Sequence, residues 1–209
     1  MSFVGGVGYS NIDLIYSGLD RLPDKGEEIF ARGFSMQFGG GIPATMINLS
    51  RLGVESRIIT FAGHDLFSEF VKKTLNSYPV KTVNLYKGNK MPVVLSSTLL
   101  YCGDRSFISY TDGMDLNDAV MDEVYENLKG AYVVDMHVGF LDVYKRLKKD
   151  GCIQIFDTGW EDDLTLEKYR DYLEIADYYI PNQKEAMKIT GTSSVEAAAD
   201  VLSEFFFLT

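Results

Sequence analysis

Apolar residues follow two rhythms along this 209-residue chain. Short runs rich in β-branched and aromatic residues alternate with longer stretches in which apolar side chains return every three or four positions, as Val120, Val124 and Leu128 do. The first rhythm suits a strand and the second one face of a helix. Strands are expected at Phe3–Val7, Arg57–Phe61, Ala131–Met136, Cys152–Phe156 and Tyr178–Ile180. Helices are expected at Pro43–Leu52, Leu66–Asn76, Asn117–Leu128, Val143–Lys149, Leu166–Ile175, Gln183–Ile189 and Val195–Phe205. Strands joined by helical crossovers give a parallel sheet, so the pattern predicts an α/β fold with a doubly wound, mostly parallel sheet flanked by helices.

Two regions break the alternation. Residues 28–38 and 92–110 read as antiparallel strands, the second a hairpin that turns at Cys102-Gly103-Asp104. A few inserted strands cannot build a core alone, so they are expected to form a small β lid over the ligand end of the sheet. No repeat, low-complexity segment or linker divides the chain, which predicts a single α/β domain over residues 1–209 carrying the lid strands as insertions.

Composition narrows the partners. Twenty basic against thirty acidic side chains leave a net charge of −10, a field that opposes nucleic acid and anionic membranes and favours small-molecule ligands. An anionic ligand would need local amides, a cation or a metal ion. Cys102 and Cys152 have neither disulfide-framework nor metal-ligand spacing, and buried or half-buried thiols are expected. The start, Met1-Ser2-Phe3-Val4-Gly5-Gly6, is not a basic segment leading into a long apolar run, and no stretch approaches the ~18 apolar residues of a membrane span. The expectation is a cytoplasmic protein.

Candidate chemistry gathers where strands end, because ligands of open parallel sheets bind beyond the carboxyl ends of the strands. At Phe38-Gly39-Gly40-Gly41-Ile42-Pro43 a strand-like run meets three glycines and then a helix. Gly39, Gly40 and Gly41 let backbone approach a ligand closely, and Pro43 suits a first helical turn. A polar ligand would meet bare amides there, although a tight loop before a surface helix fits the same residues. After the first strand come Asn11 and Asp13, a carboxylate able to accept two hydroxyl hydrogen bonds from a polyol. An Asx turn that simply ends the strand accounts for them equally well.

Asp135, His137 and Asp157-Thr158-Gly159 also follow strands; His137 reads better as a packed histidine than as a base, for want of a specified partner. In Gly63-His64-Asp65, Asp65 is the better helix cap. In Pro181-Asn182-Gln183-Lys184-Glu185, Asn182 and Glu185 have the spacing of a capping box, which periodicity alone favours. The alternative is that the same pair holds a hydrated Mg²⁺ and phosphate oxygens.

Taken in order, Gly8-Tyr9-Ser10-Asn11-Ile12-Asp13, the glycine motif with its helix closing at Ser50-Arg51-Leu52-Gly53, Gly63-His64-Asp65, the lid hairpin, and Asn182-Gln183-Lys184-Glu185 with Thr190-Gly191 resemble the ribokinase-like (PfkB) carbohydrate kinase family. The resemblance implies phosphoryl transfer from ATP, with Mg²⁺, to a hydroxymethyl group of a sugar. It implies that Asn11, Asp13, Gly39, Gly40 and Gly41 bind the sugar, that Asn182 and Glu185 organise Mg²⁺ and phosphate, and that lid residues around Leu95–Leu99 and Phe107 exclude water. Separately, the lid hairpin carries exposed-looking apolar residues on both strands, which predicts a homodimer through the lid strands.

Two departures from that pattern stand out. Ala44, beside Thr45, occupies the place of a usual asparagine. The family's Gly-Ala-Gly-Asp motif, which supplies the base aspartate, does not occur, since Asp157-Thr158-Gly159 continues Trp160-Glu161-Asp162 and precedes Asn182. No catalytic base is therefore expected among these residues. Because the sequence ends at the apolar Ser203–Thr209, the expectation is an N-terminal portion of a sugar kinase. The competing readings are a non-catalytic sugar- or nucleoside-binding module or subunit, and another enzyme on the same scaffold.

Overall fold

A computed structural model describes residues 2–206; Met1 and residues 207–209, the last part of the apolar end, lie outside the described residues. The strands are β1 (Phe3–Val7), β2 (Asn11–Leu19), β3 (Gly33–Gly39), β4 (Ser56–Thr60), β5 (Lys81–Asn84), β6 (Val94–Tyr101), β7 (Asp104–Tyr110), β8 (Ala131–Met136), β9 (Ile153–Phe156) and β10 (Tyr178–Tyr179). The helices are α1 (Gly41–Arg51), α2 (Leu66–Leu75), α3 (Asp118–Leu128), α4 (Leu141–Lys149), α5 (Leu166–Ile175), α6 (Gln183–Thr190) and α7 (Val195–Leu202). Six strands form a parallel sheet in the order β10-β9-β8-β1-β4-β5, and four form a mixed sheet in the order β3-β2-β6-β7. The α/β class with a separate small sheet follows the pattern of the sequence.

The chain divides into two compact units. One comprises Met1–Val7, Val54–Arg57 and Leu116–Thr209. Its core is built from Val124 and Leu128, Val134 and Met136, Val143, Tyr144 and Leu147, and Phe156 and Leu173, all essentially buried. Phe156 is ringed by Tyr169, Tyr172 and Tyr179 at centroid distances of 5.3–6.0 Å, which fixes the end of β9. The other unit comprises Gly8–Gly53 and Ile58–Asp115 and packs Met46 and Ile47 with Ile58, Ile59, Phe61, Val71 and Leu75. Helices start where capping side chains occur: Asp65, Asn117, Thr165, Asn182 and Ser194 each accept a backbone N–H of the first turn.

Several expectations are corrected. Asn11 and Asp13 do not lie in a turn after the first strand. They open β2, a nine-residue strand paired with β3 on one side and β6 on the other. Two ladders outweigh one local side-chain turn. Of residues 28–38 only the part from Gly33 is strand, and β5 has no counterpart in the sequence reading. Helix α1 begins at Gly41, two residues early, and α7 stops at Leu202 rather than Phe205. The hairpin is as expected; Cys102 (φ 50°) and Gly103 (φ 78°) both adopt the left-handed conformation of a twist-matched two-residue turn. Its geometry leaves Cys102 exposed instead of half-buried, whereas Cys152 is buried.

Strand register assigns each face of the small sheet. One face carries the rows Phe38-Ile12-Leu95-Tyr110, Met36-Leu14-Ser97-Ile108 and Phe34-Tyr16-Leu99-Ser106. The other carries Gly39-Asn11-Val94, Gln37-Asp13-Ser96-Ser109 and Ser35-Ile15-Thr98-Phe107. An apolar face thus backs a polar one. On the polar face Thr98 is 4% exposed and its Oγ1 has no hydrogen-bond partner among the described residues. A buried unpaired hydroxyl costs about 1–3 kcal/mol. Thr98→Val, which keeps the shape, is expected to stabilise the protein by about 1 kcal/mol and to raise its calorimetric melting temperature; a lower melting temperature would mean that the hydroxyl is paired.

Candidate functional site

The polar face of the small sheet converges on one carboxylate. Asn11 and Asp13 are two apart on β2 and so project from the same face. Asn11 Nδ2 donates to Asp13 Oδ1 at 2.9 Å, an orientation the carboxylate dictates because it can only accept. Across the ladder Gly39 faces Asn11. A Cβ built on Gly39 would come within 2.6 Å of Asp13 Oδ2, so the missing side chain gives the carboxylate its room. No cation pairs with Asp13 among the described residues, and partial burial raises its carboxyl above the usual range. The charge is held by an amide and keeps acceptor capacity to spare.

The chain then turns from β3 into α1 through Gly40. At φ 101° this residue is in a conformation that side chains disfavour, and a Cβ there would lie 2.9 Å from the Tyr9 carbonyl oxygen. Helix α1 has no side-chain cap, so its first amides have no capping partner, and Pro43 removes a donor that the first turn does not need. Space beside Gly41 is open, with nothing within 4 Å of a built Cβ. The structure therefore brings Asn11, Asp13, Gly39, Gly40 and Gly41 into one corner. Ala44 offers no polar atom, and the Thr45 hydroxyl donates to the Gly41 carbonyl at 3.1 Å, so it does not take over the role of an asparagine there. Below the corner Ser10 Oγ and Thr60 Oγ1, both buried, bond at 2.9 Å.

Sequence reading missed two further residues. Ser96 Oγ lies 3.3 Å from the Asn11 amide and 2.8 Å from Ser109 Oγ, extending the network across β6 to β7. The signal was available only through register, since Asp13 is opposite Ser96 and Ser96 opposite Ser109.

The second group of candidate residues belongs to the other unit and is described on its own. Asn182 Oδ1 accepts from the Glu185 N–H and Glu185 Oε2 from the Asn182 N–H, each at 3.0 Å, a complete capping box. Glu185 is only 8% exposed. The Asp157 carboxyl is pushed up to about 6 by lost hydration and then by the like charge of Glu185. Asp157 shares a cavity of about 200 Å³ with His137, Thr158, Trp160, Glu161 and Tyr169. The His137 ring lies 2.8 Å from the Val138 carbonyl through Nδ1, which must therefore carry the proton, and burial lowers its pKa. This is the packed, neutral histidine of the sequence reading. Asp135 lies in β8, and Asp65 caps α2 as expected. The described residues contain no group of three or more metal-ligating side chains, and no helix long and apolar enough to cross a membrane.

Comparison with known proteins adds three findings. The model of the pfkB family carbohydrate kinases matches residues 1–207. PH1459 of Pyrococcus horikoshii, an uncharacterized sugar kinase, is 35% identical over 92 residues, which are 42% of this chain and 30% of that protein. The ribokinase of Arabidopsis thaliana, solved with ribose and ATP, superposes with a TM-score of 0.75 at 21% identity, covering 99% of this chain and 70% of that one. The ribokinase of Giardia lamblia superposes with a TM-score of 0.81 at 18% identity, over 98% and 66% respectively. At these identities the two ribokinases establish the fold.

The carboxyl of Asp157 carries a pH signature. Its folded pKa lies above the unfolded one, so stability is full below pH ~4 and is lost as pH rises towards ~6, where the unfolded chain gives up its proton first. The residue keeps solvent contact, which screens the effect. Asp157→Asn is expected to melt higher than the parent at pH 7 and equally at pH 3.5; equal melting at both would mean that burial and Glu185 do not raise this carboxyl.

Proposed function

The chain belongs to the pfkB family of carbohydrate kinases, and from that premise we propose that its small-sheet corner binds a sugar whose hydroxymethyl group accepts a phosphoryl group from ATP. The observation that carries this reading is the Asp13 carboxylate beside the bare Gly39–Gly41 backbone. Oδ2 accepts one sugar hydroxyl and Oδ1 shares its remaining lone pair with a second, both as charge-assisted bonds. The glycine backbone lets the sugar ring lie against main chain, and the first amides of α1 donate to its oxygens. With Ala44 and Thr45 supplying no side-chain donor, recognition rests on Asp13, Asn11 and main chain. Of the lid residues around Leu95–Leu99 and Phe107, those on the face of Asp13, namely Ser96, Thr98 and Phe107, cover the sugar and exclude water, whereas Leu95 and Leu99 belong to the opposite face.

For Mg²⁺ the fit is supported by the Asp157–Glu185 pair, whose like charges are close enough that Glu185 adds to the burial that raises the Asp157 carboxyl. Asn182, Glu185 and Asp157 are the oxygen donors that would hold the ion with its waters. Bound Mg²⁺ supplies charge neutralisation to the phosphates during transfer. The chain spans 30% of its curated relative in the matched segment and about two thirds of the ribokinases, and Gly-Ala-Gly-Asp does not occur in it. We therefore assign no catalytic base here. A second reading is a sugar-binding module without turnover of its own. ADP release from ATP in the presence of D-ribose supports the kinase reading for these 209 residues; calorimetric ribose binding without ADP release supports the module.

The apolar face of the small sheet suggests the partner. On that face Phe34, on edge strand β3, is 62% exposed, and Ile108 and Tyr110, on the opposite edge strand β7, are 70% and 59% exposed. Such a surface costs free energy in water, and a second copy of the chain is the occupant that continues it symmetrically. Sedimentation velocity is expected to show a dimer that Ile108→Asp converts to monomer; a monomeric parent at micromolar concentration would refute the dimer.

Two substitutions test the corner. Asp13→Ala is expected to weaken calorimetric D-ribose binding by at least ~10-fold, less than the worth of one charge-assisted hydrogen bond. Gly39→Ala displaces only the end of a flexible side chain, so it is expected to change stability by less than ~1 kcal/mol while weakening ribose binding. Unchanged affinity in both variants would overturn the sugar site.

A further inference from the structure

The lid contains hydroxyls that no sugar needs to touch for them to matter. Ser109 on β7, Ser96 on β6 and Asn11 and Asp13 on β2 form a hydrogen-bonded line across three strands: 2.8 Å between the two serine oxygens, 3.3 Å from Ser96 Oγ to either polar atom of the Asn11 amide, and 2.9 Å from Asn11 Nδ2 to Asp13 Oδ1. We propose that Ser96 and Ser109 are positioning residues, which orient the Asn11 amide towards Asp13 and so couple the edge of the lid to the sugar-binding carboxylate.

The chemistry fixes the direction of the bond that ends the line. A carboxylate only accepts, so Asn11 must turn Nδ2 to Asp13 and its carbonyl oxygen away. That oxygen needs a donor; Ser96 Oγ, 3% exposed, lies 3.3 Å from both it and Nδ2, so its hydroxyl either donates to the carbonyl oxygen or accepts the second amide hydrogen, and the relay takes the first arrangement. In that arrangement the Ser96 oxygen accepts from Ser109, which is exposed. Each bond in such a chain polarises the next, so the Nδ2–H that reaches Asp13 is a stronger donor than an isolated amide. The neighbours of Asp13 given by register, Gln37 on β3 and Ser96 on β6, are uncharged, as is Asn11 on its own strand. The Asn11 bond at the end of the line favours the ionised form and so acts against the burial that raises this carboxyl.

The role of this carboxylate rests on the sugar-binding reading above, but the relay is measurable without a sugar. Carbon-13 carboxyl NMR of the intact chain gives the titration of Asp13 directly. Ser96→Ala is expected to raise its pKa by about half a unit or more, because the Asn11 amide that donates to the charged form is then less well oriented and less polarised. Ser109→Ala is expected to give a smaller rise, and Ser109→Thr, which restores the hydroxyl, the parent value. An Asp13 titration unchanged in both alanine variants, with the folded spectrum retained, would overturn the relay. Equal rises in Ser109→Ala and Ser109→Thr would overturn it too, because a packing defect rather than a hydroxyl would then be responsible. Calorimetry of the parent and Asp13→Ala with D-ribose decides the sugar reading separately, so failure there and failure of the relay give different results.

Discussion

A carboxylate held on a β-strand with no cation beside it constrains everything around it. Asn11 turns an amide hydrogen to Asp13, and Gly39, across the ladder, withholds a side chain that would fall on its second oxygen. From these two conditions much of the corner follows. Asn11 and Asp13 must alternate on one strand, that strand must pair with the glycine end of β3, and the chain must leave β3 through a left-handed glycine to start α1. Hydrogen bonding and space together hold what burial opposes.

Much of the architecture was written in local pattern. The strand runs, the helix periodicities and the hairpin turn reflect preferences of neighbouring residues, and capping residues such as Asp65, Asn117 and Asn182 mark helix starts where the structure has them. Strand β2 shows where local reading stops. Its alternation of Asn11, Asp13 and Ser17 with Ile12, Leu14 and Tyr16 was present in the sequence, yet the polar members suggested a turn. What decides the matter is pairing with segments some twenty and eighty positions away, which no local window contains. β5, with four residues and little burial, carried still less signal.

The site was legible in its members and illegible in its wiring. Asp13 and the glycines are residue types suited to holding hydroxyls against backbone, so they could be picked out singly. That Ser96 and Ser109 stand behind them depends on the registers of two ladders, a non-local property. The opposite lesson comes from Asn182 and Glu185. Sequence spacing proposed both a cap and an ion site, and the complete capping box meets the first role while leaving Glu185 close enough to disturb Asp157. A helix cap and a cation-binding pair can share the same carboxylate, because capping engages only one of its oxygens.

The central claim is that the Asp13 carboxylate and the Gly39–Gly41 main chain grip one polyhydroxylated molecule. A crystal structure of the chain soaked in D-ribose tests it most directly. The account predicts ribose in that corner, with two hydroxyls within about 2.5–3.0 Å of the Asp13 oxygens and the sugar ring against Gly39–Gly41 backbone. Ribose bound elsewhere, with the Asp13 corner filled only by water, would contradict it.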